Sequence, residues 1–279
     1  MSEKESPEVS DGAVLRERIG QLAWYHTFDL PDGVVTPGTY DHRRVAAKVA
    51  FPPLSGLRCL DVASSDGFWA VEMAKRGAAE VVSMDLADMT KLDWQGVPSA
   101  VDRSPGTGRA AEAFAIVTQA LGLDIDRRDL SVYDLSPAEV GTFDFVFMGN
   151  VLLHLSDPGR ALRAVRSVTR GRFFSYEMIQ LLLSLMRPRT PLGQLWHLDD
   201  ARWWTPNLAG HRRLVEAGGF TIERAGGPLL QPFGDGLAAW PRNRADLGPF
   251  GLGAQLSYWL FLRRFGAPTS WVLARPTGG

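Results

Sequence analysis

The chain has 279 residues, 45% hydrophobic and 22% charged, and its 31 acidic and 30 basic side chains leave a formal net charge of −1. This composition excludes an intrinsically disordered chain, and the balance of charge without a long basic block excludes a chain-wide surface for nucleic acid. The single cysteine, Cys59, excludes an internal disulfide and a four-cysteine zinc site.

Residues 1–12 are polar and acidic and read as a disordered tail, not a secretory leader. Residues 13–56 form a cap segment, with a short amphipathic helix up to about Tyr25 and then the loop-like LPDGVVTPGTYDHR. From residue 57 the pattern alternates. RCLDVA and EVVSMDL are strand-like and flank the helix-like GFWAVEMAKRGA. A polar loop with DRSPGTG leads to a helix over 108–121, and DIDRRDLSVYDL gives a strand and turn. TFDFVFMGNVL and GRFFSYEMI are strands on either side of the helix DPGRALRAVRSVTR. Asp157 with Pro158 starts that helix, Gly171 suits its end, and Leu162, Val165 and Val168 make one apolar stripe.

An insertion over about 178–205 is helix then loop, and Thr205 is placed to cap the following helix, TPNLAGHRRLVEAGG. FTIERAG and SWVLAR are late strands joined through a second insertion, about 228–268. Without a crossover helix they are expected to pair antiparallel, the last strand joining the sheet at its edge. The apolar runs at 178–186 and 256–262 are too short to span a bilayer, so a soluble, cytoplasmic protein is expected. The fold class is therefore α/β. It is a Rossmann-like, doubly wound, mostly parallel seven-stranded sheet over residues 57–279, with an antiparallel last strand, capped by the N-terminal segment and the two insertions.

Ligands of such a sheet bind beyond the carboxyl ends of its strands. There the chain reads ASSDG, between the acid Asp61 and a glycine, Gly67, that lets a ligand approach backbone N–H groups. The second strand ends in Asp85, placed to accept hydrogen bonds from two ribose hydroxyls. A dinucleotide fingerprint needs three glycines to seat a pyrophosphate. This turn keeps one, and Asp61 and Asp66 would repel a pyrophosphate while welcoming a cation. A nucleoside carrying an ammonium and a sulfonium, such as S-adenosylmethionine, matches that charge.

CLDVASSDGFWAVEMAKRGAAEVVSMDL resembles motifs I and II of the class I S-adenosylmethionine-dependent methyltransferases. GTFDFVFMGNVLLHLSDPGRALRAVRSVTRG resembles their fourth strand, turn and following helix, and NLAGHRRLVEAGGFTIERAG their late helix and sixth strand. The SxDGF turn and RWWTPN are most similar to the branch with tRNA wobble-uridine methyltransferases and related bacterial small-molecule enzymes. The first two motif I glycine positions are here Ala63 and Ser65. The resemblance implies S-adenosylmethionine as cofactor, with Asp61, Ala63, Ser64 and Gly67 at its methionine end and Asp85 at the ribose. It implies Leu86, Ser131 and Val132 near the adenine, and Asn150 beside the methionine portion.

Methyl transfer needs a general base only where the acceptor must lose a proton. The candidates are His154, Glu177 beyond the fifth strand, and Asp41 or His42 in YDHR, with His26 as a further imidazole. HLDD offers His197, Asp199 and Asp200 to magnesium; three polar residues in a loop are weak support, and no metal site is assigned. Trp24, Trp196, Trp203, Trp204, Trp240 and Trp259 fall in the irregular segments, either as the cap's own core or as walls of an acceptor pocket. The expected activity is methylation of an oxygen on a small molecule, a sugar or natural-product hydroxyl, with a homo-oligomer left open. A tRNA wobble-uridine methyltransferase is disfavoured because an RNA stem asks for a basic surface. An NAD(P)-dependent oxidoreductase and a non-catalytic cofactor-binding module are the alternatives of other classes.

Overall fold

The computed structural model describes residues 11–88, 91–93, 109–196, 201–237, 260–261 and 263–278. Strands β1 (Arg58–Val62), β2 (Glu80–Asp85), β3 (Asp126–Asp129), β4 (Phe143–Gly149), β5 (Thr169–Met178), β6 (Phe220–Gln231) and β7 (Ala267–Pro276) form one sheet. Their spatial order is β3-β2-β1-β4-β5-β7-β6. β1 to β5 pair in parallel, and β7 runs antiparallel to both β5 and β6. Strand order reverses between β1 and β4, which puts the ligand crevice of such a sheet at their carboxyl ends.

Helices α1 (Asp11–Gly20), α2 (Phe68–Lys75), α3 (Ala110–Leu121), α4 (Pro158–Val168), α5 (Leu181–Met186) and α6 (Leu208–Ala217) complete the principal elements. Both sheet faces are covered because strand residues alternate between two apolar layers. Cys59, Phe145, Phe147, Phe174 and Tyr176 face α2, α3 and the N-terminal cap, while Leu60, Val82, Val146, Met148 and Phe173 face α4 and the Val215 side of α6. The expected stripe of α4 is observed: Leu162, Val165 and Val168 are fully buried, each worth about 1.5–3 kcal/mol of transfer free energy. Asp157 caps α4 by accepting a 2.8 Å hydrogen bond from the Arg160 N–H.

Several boundaries differ from the sequence reading. The N-terminal helix starts at Asp11, inside the expected tail, and ends at Gly20, after which Trp24–His26 is a strand paired in parallel with Gly38–Tyr40. Residues 1–10 lie outside the described residues. Helix α4 stops at Val168, so Gly171 does not end it. Gly171 sits in β5, where a Cβ would come within 2.1 Å of the Asp144 carbonyl oxygen; the glycine serves strand approach, not a helix terminus. The cap of α6 is Asn207, whose side chain accepts from the Gly210 N–H at 2.8 Å; Thr205 lies in a short strand, Trp204–Pro206, paired with Gly193–Leu195. The last strand is not at the edge: β7 lies between β5 and β6, pairing antiparallel with both, and β6 is outermost. Among the described residues no helix is long and apolar enough to cross a membrane.

Candidate functional site

The turn after β1 holds an uncommon backbone. Ala63 and Ser65 adopt φ of 55° and 52°, and Gly67 takes φ of 90°. The two departures from the motif I glycines therefore occupy left-handed positions that a side chain makes costly, by about 1–2 kcal/mol each. Ala63→Gly and Ser65→Gly are each expected to raise stability by about 0.5 kcal/mol, since relief of strain slightly exceeds the added freedom of the unfolded chain. Chemical denaturation would read this, and a lowered midpoint in both variants would contradict the turn geometry.

What holds the turn is a ring of carboxylates. Asp85 Oδ2 accepts from the Ser65 N–H at 2.6 Å and its Oδ1 from the Leu86 N–H at 2.8 Å. Asp61 Oδ2 accepts from the Ala70 N–H at 2.9 Å, inside the first turns of α2. Asp66 Oδ2 accepts from the Tyr25 and His26 N–H groups at 2.8 and 2.9 Å, and its Oδ1 pairs with His26 Nδ1. The cap strand is thus fastened to the turn by Asp66. Arg127, on β3, reaches across to donate to Ser64 Oγ at 3.1 Å and the Ser65 carbonyl at 2.8 Å, its guanidinium 4.8 Å over the Phe114 ring. Burial pushes the carboxyls of Asp61 and Asp85 above the usual range, opposed by the charge of Arg127. Three acids thus meet one guanidinium and the His26 ring at this turn.

A cavity of about 810 Å³ opens above this turn. Of the residues that sequence comparison put at the cofactor, Ala63, Asp85, Leu86, Ser131, Val132 and Asn150 line it, together with Ser65 and Asp66. Asp61, Ser64 and Gly67 do not line it. They build the turn from beneath, Ser64 through its 2.6 Å hydroxyl contact with Ser83. Ser131 also starts a short turn, its hydroxyl accepting from the Tyr133 N–H at 3.3 Å. Asn150 carries φ of 55° and accepts at Oδ1 from the Met178 N–H at 3.0 Å.

The candidate bases separate. His154 lines the cavity, and its Nδ1 donates to the Ala201 carbonyl at 2.9 Å. His42 is buried among His26, Phe68 and Trp69, away from the cavity lining. Burial and the neighbouring His26 hold its imidazole well below the usual range. Asp41 bonds Arg43, which lowers its carboxyl, and does not line the cavity. Glu177 is fully buried behind the cavity wall. Its Oε1 accepts from the Val151 and Leu152 N–H groups, both at 3.1 Å, and its Oε2 has no hydrogen-bond partner among the described residues.

Burial pushes the Glu177 carboxyl up to about 8. A raised folded value means that the native state keeps a proton the unfolded chain has released, so stability falls as pH rises from the usual carboxyl range towards about 8. Glu177→Gln is expected to flatten that fall and to exceed the wild type in stability above pH of about 8. Thermal melts across pH would show parallel curves for the two proteins if the carboxyl were already ionised in the fold.

Away from the carboxylates the cavity is largely apolar, with Leu22, Trp24, Pro37, Leu155 and Leu237 on its walls. The tryptophans mostly do not face it. Trp196, Trp203 and Trp204 donate to Thr205 Oγ1, the Asp93 carbonyl and the Leu155 carbonyl, so they pin the insertion to the body. Trp240 and Trp259 lie outside the described residues, as do DRSPGTG and the HLDD residues His197, Asp199 and Asp200. Sequence reading missed Arg127 and Tyr25. An arginine inside a short strand beside the Asp85 strand was the available signal for the first; nothing local marked the second.

A family model described as a methyltransferase domain matches residues 99–172. A ubiquinone biosynthesis O-methyltransferase of Neisseria meningitidis serogroup C is 32% identical over 117 residues, which are 42% of this chain and 41% of that protein. The chain thus matches about two fifths of the length of its curated relatives. Among solved structures, the [4+2]-cyclase SpnF aligns with a TM-score of 0.56 at 16% identity, covering 96% of this chain and 93% of that one. The N-terminal domain of EvdMO1, crystallised in the presence of SAH and D-fucose, aligns with a TM-score of 0.53 at 14% identity, covering 98% and 100%. A 1,6-didemethyltoxoflavin N1-methyltransferase of Burkholderia thailandensis gives a TM-score of 0.51 at 16% identity, covering 85% and 78%. The resemblance to class I methyltransferases is therefore carried by both sequence and fold.

Proposed function

We propose that this chain, built on the class I methyltransferase fold, binds S-adenosylmethionine and methylates an oxygen of a small, largely apolar acceptor such as a natural-product hydroxyl. The observation that carries the reading is a cavity with an acidic end, at Asp66 and Asp85, and a largely apolar remainder. Its size is in the upper part of the ~300–1,000 Å³ range of ligand pockets, which suits a nucleoside cofactor and a small acceptor side by side. When bound, the cofactor supplies an electrophilic methyl group on a sulfonium. The chain's own work is to attract that cation with the acidic side chains at this end, to exclude water with the Trp24–His26 cap, and to hold the acceptor oxygen in line. His154, the one of the four candidate bases on the cavity wall, is the residue this reading assigns as acceptor of the substrate's proton. The apolar walls favour a flat or aliphatic acceptor over a sugar, whose hydroxyls would need more polar partners.

Calorimetric titration with S-adenosylhomocysteine and with NADH tests the cofactor. Binding of the first alone is expected, and binding of NADH alone would sink the reading. A second reading, cofactor retention without transfer, is favoured by the likeness to a cyclase of the same fold. Incubation with methyl-labelled cofactor and fractionated cell extract separates the two: label should move to a small-molecule fraction. Label in tRNA would restore the wobble-uridine alternative.

A further inference from the structure

Between β5 and α6 the chain presents apolar side chains to water from a firmly braced platform. Leu182, Leu185 and Met186 on α5 are 64, 69 and 62% exposed, and Leu195 on the adjoining hairpin is 80% exposed. Such a run normally folds inward or frays. Here it does neither, because the fully buried Asn207 holds it from behind. Asn207 Nδ2 donates to the Arg187 and Thr190 carbonyls at 3.0 and 2.9 Å, and its Oδ1 accepts from the Leu192 and Gly210 N–H groups at 2.9 and 2.8 Å. Ser184 adds two more ties, donating to the Gln180 carbonyl at 2.7 Å and accepting from the Leu208 N–H at 3.0 Å. The segment is ordered by polar bonds on one side so that its leucines can face outward on the other.

The charge beside these leucines is of one sign. Arg187 and Arg189 are exposed at the end of α5, and no acidic residue occurs between Glu177 and Asp199. A second exposed apolar set, Leu260, Phe261 and Phe265, is followed by the entry into β7 and also carries arginines, Arg263 and Arg264. The two sets share one rim: Thr269 pairs with Met178, and the Ile179 N–H donates to the Pro268 carbonyl at 2.9 Å. This is the end of the sheet on which the cavity opens.

We propose that this rim docks on an anionic lipid surface, with Leu182, Leu185 and Met186 entering the headgroup boundary while Arg187 and Arg189 meet lipid phosphates. Exposed leucines beside arginines without acids are the pattern of interfacial segments. A two-fold contact with a second copy is less well matched, since the same patch on both sides would supply no carboxylate to Arg187 and Arg189. The inference is independent of the methyl-transfer reading.

Flotation of the full chain with vesicles tests it. The protein is expected to float with phosphatidylcholine vesicles containing phosphatidylglycerol, not with phosphatidylcholine alone, and to be released by high salt. Leu182→Glu with Leu185→Glu, and separately Arg187→Glu with Arg189→Glu, should each lower partitioning at least about tenfold while S-adenosylhomocysteine binding and the melting temperature stay as in the wild type. Failure of the wild type to float overturns the proposal. So does equal flotation of the charge-reversed variant, or a change in sedimentation mass showing that the leucines join two copies.

Discussion

Asp85→Ala is expected to weaken binding of S-adenosylhomocysteine at least about tenfold, because charge-assisted hydrogen bonds are worth about 1.5–3 kcal/mol. Two contributions act together. The carboxylate faces the cavity at the position where the ribose is proposed to sit, and it also fixes the turn through the Ser65 and Leu86 N–H groups. Removing it leaves both donors without a partner and lets Ser65, already at φ of 52°, relax away from its observed geometry. Asp85→Asn keeps an acceptor of the same shape without the charge, so its loss should fall between wild type and alanine. Calorimetry on the three proteins checks the order, and an alanine variant with unchanged affinity would remove Asp85 from the site.

Gly67→Ala carries the largest expected cost in stability. A Cβ at Gly67 would lie 2.4 and 2.7 Å from two ring carbons of Phe114, and the residue's φ of 90° is unfavourable for any side chain. The left-handed conformation costs about 1–2 kcal/mol and the overpacking about 1–3 kcal/mol, so a total loss of roughly 2–5 kcal/mol is expected by denaturant unfolding. Phe114 cannot swing aside freely, because it lies between this glycine and the Arg127 guanidinium. Combining Gly67→Ala with Phe114→Leu should therefore recover the steric part and leave the backbone part. A single variant within 1 kcal/mol of wild type, roughly the cost of an ordinary surface change, would mean that the turn does not have this conformation.

The elements that were legible in the sequence share a property: their signal is local. β1, β2, β4 and β5 announced themselves as apolar runs, and α4 by its Asp157–Pro158 start and its three-residue stripe. Asp85 and the Ala63–Gly67 turn followed from strand ends alone, since the carboxyl end of a parallel strand is a binding position wherever the strand lies in the sheet. Gly171 and Thr205 misled because glycine and threonine have more than one use. A strand crossing close to Asp144 claimed the first, and the better acceptor Asn207, two residues on, took the cap.

The sequence by itself determined the layered α/β architecture, the acidic turn and the absence of a dinucleotide fingerprint, because each rests on spacing within one or two adjacent elements. Only the tertiary structure decided that His154 faces the cavity while Glu177 and His42 are sealed away from it, that Asp66 clamps the cap strand, and that Arg127 answers the carboxylates. Those relations join residues 40 to 63 positions apart in sequence, or strands that are neighbours only once the sheet has formed. No periodicity or spacing records them, because they are set by how the layers pack.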